Sequence, residues 1–111
     1  MINEEFLHFV WKFQLFDCSN LKSTQNHILQ ILNKGFHNQN TGPDFLDAKI
    51  KIGTILWCGD IEIHTKSSQW YSHKHHNDDN YNTVILHVVY EKDVEVQSGR
   101  GTSMFCLELK G

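Results

Sequence analysis

A mixed β-sheet with helices packed against it, in the α/β (or α+β) class, is predicted by three observations in the sequence. Phe6, Phe9, Val10 and Phe13, with Leu7, recur at helical three-four spacing near the start. From Phe45 the apolar period changes to two, as in a half-buried strand. Thr83 to Tyr90 (TVILHVVY) is β-branched and apolar on both faces, as in a strand inside a sheet.

The elements follow in order. The first helix is expected over Glu4 to Phe16, with Asn3 as its cap and Glu4 and Glu5 in the first turn, where the helix dipole favours acids. Thr24 to Leu32 fits either a helix or a strand. The turn formers of Asn33 to Pro43 favour the strand. Leu46, Ala48, Ile50 and Ile52 then alternate with Asp47, Lys49 and Lys51, Gly53-Thr54 makes a turn, and the chain returns from Ile55 to His64 or Lys66 as the second arm of a hairpin. Ser67-Ser68 can cap a short helix carrying Trp70, Tyr71 and His73. Beyond the buried strand, Val94-Glu95-Val96 and Met104 to Leu109 read as a trailing hairpin around Ser98-Gly99-Arg100-Gly101.

Composition bounds what such a chain can be. With 111 residues, 40% of them hydrophobic, and a single proline, it is expected to form one domain, residues 1–111, with one modest core. No apolar run approaches the roughly 20 residues a membrane helix needs. The start, MINEEFLHFVWKF, is acidic before it is apolar, the wrong order for a secretory signal, so a cytoplasmic location is expected. Ten basic against thirteen acidic residues leave a net charge of −3, so a nucleic-acid partner would have to be held by local charge or by metal. Cys18, Cys58 and Cys106 form no C-x-x-C pair and read as small core fillers.

The chemistry concentrates on the return strand. Asp60, Glu62, His64 and Lys66 fall on one face and Trp57, Ile61 and Ile63 on the other. This ladder, about 7 Å per step, can hold a divalent cation and keep a proton donor or acceptor beside it; a solvated strand face is the plain alternative. Asp44, after Gly42-Pro43, would lie at the mouth of the neighbouring strand, where it can share Mg²⁺ with Glu62 or merely close an Asx-turn. On a loop, His73 and His75 could bind Zn²⁺ with Asp78 or Asp79; on a helix they point apart. His87 interrupts the buried strand, either as a satisfied core histidine or as a neighbour of Glu62. Trp57 and Trp70 read as packing.

The stretches GPDFLDAKIKIG, LWCGDIEIHTKSSQWYSHKHH and YNTVILHVVY closely resemble a family of uncharacterised bacterial proteins, found chiefly in Bacteroidetes and catalogued as a domain of unknown function. Its members are longer, which implies that this chain is their N-terminal portion. Gln69 stands where the family usually has Asp. More distantly, the order helix, strand, strand, strand, helix, strand resembles the PD-(D/E)XK nuclease-like superfamily, a restriction-endonuclease-like core. Under that resemblance Pro43-Asp44 and Glu62-Ile63-His64 are the two halves of the motif, with His64 where a lysine is usual. It implies Mg²⁺ or Mn²⁺ bound by Asp44, Glu62 and the Ile63 carbonyl, with His64 or Lys66 orienting water or stabilising the phosphorane, and Glu4 or Glu5 completing the shell. The expected function is then a metal-dependent phosphodiesterase acting on nucleic acid. The alternatives are a non-catalytic interaction or scaffold domain, and a zinc-binding module of His64, His73, His75 and His87.

Overall fold

In the computed structural model, which describes residues 2–97 and 103–110, helix α1 spans Glu4–Lys12 and begins where Asn3 Oδ1 accepts the Phe6 N–H at 2.8 Å. Its buried face is set by Leu7 and Trp11, four residues apart, and the Trp11 indole N–H donates to the Lys34 carbonyl (3.1 Å). The expected stripe is therefore displaced. Phe6, Phe9 and Phe13 point outward at 48%, 51% and 53% exposure. They share a helical face, but the indole needs both an apolar bed and an acceptor for its N–H, and only the Leu7–Trp11 side supplies both.

The six-stranded sheet has the order β1-β3-β4-β5-β6, with β1 Leu29–Asn33, β3 Phe45–Ile52, β4 Ile55–Lys66, β5 Val84–Glu91 and β6 Cys106–Glu108. The two-residue β2, Phe36–His37, lies beside the start of β3. The hairpin of β3 and β4 closes at Ile52 and Ile55 through Gly53-Thr54, with Gly53 at φ +61°, a conformation that costs glycine little. Asp47 takes the left-handed conformation (φ +59°) at a bulge, so Phe45 and Ala48 share the buried side and the alternation is reset by one residue. Strands β4 and β5 run parallel, joined by the short helix α2 (Gln69–Ser72) and the 3₁₀ turns His75–Asn77 and Asp79–Tyr81.

This connection covers one face of β4 and β5, and α1 covers the other. Leu7 and Trp11 of α1 pack with Ile61, Ile63, Leu86 and Val88. Glu62, His64 and His87 alternate with those residues onto the other face, where Trp70 and the 3₁₀ segment cover them. The mixed-sheet class and its flanking helices are thus as the sequence predicts. Two details differ. Val94 to Val96 forms no strand, and the trailing hairpin is reduced to one antiparallel bridge, Gln97 to Ser103, because β6 joins β5 in parallel instead. The expected turn Ser98-Gly99-Arg100-Gly101 lies outside the described residues. Of the cysteines only Cys106 is buried; Cys18 and Cys58 are exposed thiols.

Ser67 and Ser68 do not cap α2 with their hydroxyls. Both turn to Asp93, whose Oδ1 also accepts the Ser68 N–H at 2.9 Å. Partial burial would raise the Asp93 pKa, but the Ser68 and Ser67 hydrogen bonds outweigh it and hold the group at about 2, below its ordinary 3.8. A depressed acid contributes stability that is present above its unfolded pKa and is lost as pH falls through its folded one. Asp93→Asn should therefore flatten the loss of stability between about pH 4 and pH 2, read as urea midpoints across that range. An unchanged acid limb would count against this lock.

Candidate metal centre

Four segments converge where β3 begins. Asp44 Oδ2 accepts the Ile63 N–H at 2.8 Å, while the Asp44 N–H donates to Glu62 Oε1 at 3.2 Å. Each acid therefore fixes the other's strand, so the two side chains, 18 residues apart in sequence, lie together. Asp44 closes no Asx-turn; its carboxylate crosses to β4. Ile63 enters through its backbone N–H, with its side chain fully buried in the core.

Helix α1 adds a group that the sequence reading missed. His8 Nε2 lies 3.3 Å from Asp44 Oδ2 and 3.8 Å from Glu4 Oε1. Glu4, His8 and Asp44 each bring one ligand atom within 4.8 Å of the others. The signal was present as a Glu4–His8 pair four residues apart on the Leu7–Trp11 side of the helix, but the phenylalanines masked it. Glu5 is absent from this group.

A second convergence lies on the α2 face. Glu62 is 3% exposed and His64 wholly buried, so this part of the ladder is no solvated face. The ligand atoms of His64, His73 and His75 also lie within 4.8 Å of one another. Glu62 Oε2 sits 3.3 Å from His64 Nε2 and 2.8 Å from His75 Nε2. His73 ends α2, and Lys74 adopts the left-handed conformation (φ +60°, ψ 29°) before the 3₁₀ turn begins at His75. That reversal brings His73 and His75 to the same point, with His73 exposed at its outer edge. Stacking on Tyr81 at 3.7 Å and an edge contact with Trp70 hold the His75 ring.

The other candidates separate from these groups. Asp60 is diverted by the bulge between Asp60 and Ile61, and its Oδ1 accepts the Asp47 N–H (3.0 Å). Lys66 is exposed at the end of β4, its N–H bound to Gln69 Oε1. Asp78 caps the following 3₁₀ turn and Asp79 accepts from Asn82, so neither partners His73 or His75; Glu62 provides the carboxylate instead. His87 stands behind the group, its Nε2 2.7 Å from His64 Nδ1.

The electrostatics follow from enclosure. Burial, then the Asp44 carboxylate beside it, pushes Glu62 up to about 10. Burial and the neighbouring imidazoles push His64 down to about 2 and hold His87 near 3, so both stay neutral. His8 moves the other way, raised by its contact with Asp44. Enclosure therefore disfavours a bare carboxylate at Glu62, a cost that either a proton or a cation offsets.

Comparison with known proteins identifies the chain. Residues 4–111 match the model of a family described as Protein of unknown function (DUF2851). The chain belongs to that family. No curated protein and no solved structure matches it. Among the described residues, no helix is long and apolar enough to cross a membrane.

Proposed function

We propose that the chain carries a metal-dependent phosphodiesterase site of the nuclease-like kind, acting on nucleic acid. The observation that supports it most is the convergence of Glu4, His8 and Asp44, with Asp44 interlocked with Glu62. Carboxylate oxygens with one imidazole suit Mn²⁺, and Mg²⁺ through the carboxylates. Such a cation neutralises charge on a phosphoryl group and makes bound water a better nucleophile.

The remaining roles belong to the chain. Asp44, fixed by the Ile63 N–H, and Glu4 present the oxygens; His8 supplies the nitrogen. Burial holds His64 neutral, so it cannot replace the cation of a lysine, and Lys66 lies apart from the centre at the end of β4. Beside His8 a hollow of about 210 Å³ is lined by Glu5, Phe9, Lys12, Phe13 and His37, and Lys12 and Lys34 flank the Phe13 ring. Exposed aromatic rings with adjacent lysines suit stacked bases and their phosphates, the local charge that the acidic chain otherwise lacks.

The test is cleavage of a labelled single-stranded oligonucleotide and of bis(p-nitrophenyl) phosphate by Mn²⁺-loaded protein. Activity should vanish with chelator, and Asp44→Asn should lower it on the order of 100-fold or more, the several kcal/mol that a correctly held cation contributes. Absence of cleavage, or an Asp44→Asn protein as active as the parent, overturns the reading.

A further inference from the structure

The geometry points to a separate zinc site formed by His64, His73 and His75 with Glu62 Oε2, which closes the α2–3₁₀ connection onto the sheet. It does not depend on the phosphodiesterase reading, although it shares Glu62 with that centre.

The side chains of His64 and His75 are 0% and 9% exposed. Their Nε2 atoms nevertheless make no hydrogen bond. Both lie within 3.3 Å of Glu62 Oε2, yet neither ring directs its nitrogen at that oxygen with hydrogen-bonding geometry. Buried polar atoms left in this way are uncommon in folded proteins and call for a partner. One shared ion accounts for both at once. Donors bound at about 2.0–2.2 Å to a tetrahedral ion lie roughly 3.3–3.6 Å apart; His64 Nε2 and Glu62 Oε2 are already 3.3 Å apart, and His75 Nε2, at 2.8 Å from the same oxygen, would draw back by about half an ångström on binding.

The surrounding shell fits the same assignment. His64 Nδ1 is engaged by His87 Nε2 at 2.7 Å, which leaves the other ring nitrogen free to bind a metal when Nδ1 carries the proton. His87 is then the group that orients a ligand, not itself a ligand, unlike in the zinc module considered from the sequence. Three imidazoles and one carboxylate select a borderline divalent ion of tetrahedral preference, Zn²⁺ in the first place, over Mg²⁺. With four protein donors the site has no open position, which suits a brace more than a reaction centre. It would hold His73 and His75, on an otherwise short and exposed connection, against β4.

The test uses the full chain purified without a histidine tag, stripped with chelator, then titrated with Zn²⁺ by calorimetry and with Co²⁺ by visible absorption. The parent protein should bind Zn²⁺, gain thermal stability, and show the intense bands of tetrahedral Co²⁺. His73→Ala and His75→Ala should each weaken Zn²⁺ binding on the order of 100-fold and remove those bands; His76→Ala, an exposed neighbour outside the group, should not. Circular dichroism of the metal-free variants controls for folding, and buried His64 is left intact for that reason. The site is overturned if the parent takes up no Zn²⁺, or if His73→Ala and His75→Ala bind it as His76→Ala does. Loss of the Co²⁺ bands in His8→Ala but not in His73→Ala overturns it as well. Zinc uptake without oligonucleotide cleavage would sink the phosphodiesterase reading and leave this site standing.

Discussion

Glu62→Gln should remove tight Zn²⁺ binding at the histidine site while leaving the metal-free protein as stable as the parent or more so. The carboxylate holds Asp44 in place through Oε1 and faces His64 and His75 through Oε2. An amide keeps the oxygen that accepts the Asp44 N–H. On the other side it replaces the oxygen that faces His64 and His75 with a neutral NH₂ group, which cannot ligate a metal ion. The substitution also removes a buried acid that enclosure and Asp44 disfavour in its charged form. Removing groups that merely orient a ligand costs 10–100-fold in affinity, so loss of the shared carboxylate should cost on the order of 100-fold or more. Calorimetric titration with Zn²⁺, beside a melting curve taken in chelator, checks both halves. Parental Zn²⁺ affinity in the Glu62→Gln protein would refute Glu62 as a ligand of the histidine site.

Trp11→Ala should destabilise the fold by about 3–5 kcal/mol, the range for deleting a buried tryptophan from a packed core. The indole is fully buried, stacks on Phe16 at 5.9 Å, and anchors α1 to the chain beyond β1 through the Lys34 carbonyl. Truncation opens a cavity and leaves that carbonyl short of a donor. Phe9→Ala, removing an exposed ring from the same helix, should stay within about 0.5 kcal/mol, as surface substitutions do. Urea denaturation of the two variants decides which stripe of the helix faces the core. Equal losses would return the buried face to the phenylalanines.

The strands were legible because burial imposes a local pattern. Alternation along Phe45–Ile52 and the doubly apolar Val84–Glu91 reflect one and two covered sheet faces, and each is readable without knowing what covers them. The ladder on β4 was legible in part. Glu62 and His64 stand on one face as the two-residue period requires, but the bulge after Asp60 removes one rung, a displacement that depends on pairing with β5. Helix α1 was legible as a helix and misread in orientation, since three phenylalanines outweigh one leucine and one tryptophan in any count of hydrophobicity. His73 and His75 meet only because Lys74 is left-handed, a conformation lysine adopts at some cost and the sequence does not announce.

By itself, then, the sequence determined a helix followed by a mixed sheet, the hairpin at its centre, and the strand that carries Glu62 and His64. Membership of DUF2851 rests on the same residues. Only the tertiary structure decided which donors share a point. A cation site needs groups within a few ångströms, and here those groups come from residues 4 to 75, carried by a helix, two strand segments and a left-handed turn. Periodicity reports the face of one element at a time. Convergence is a property of how the elements pack, and it was the packing of α1 and α2 on opposite sides of β4 that brought Glu4 and His8 to Asp44 and the histidines to Glu62.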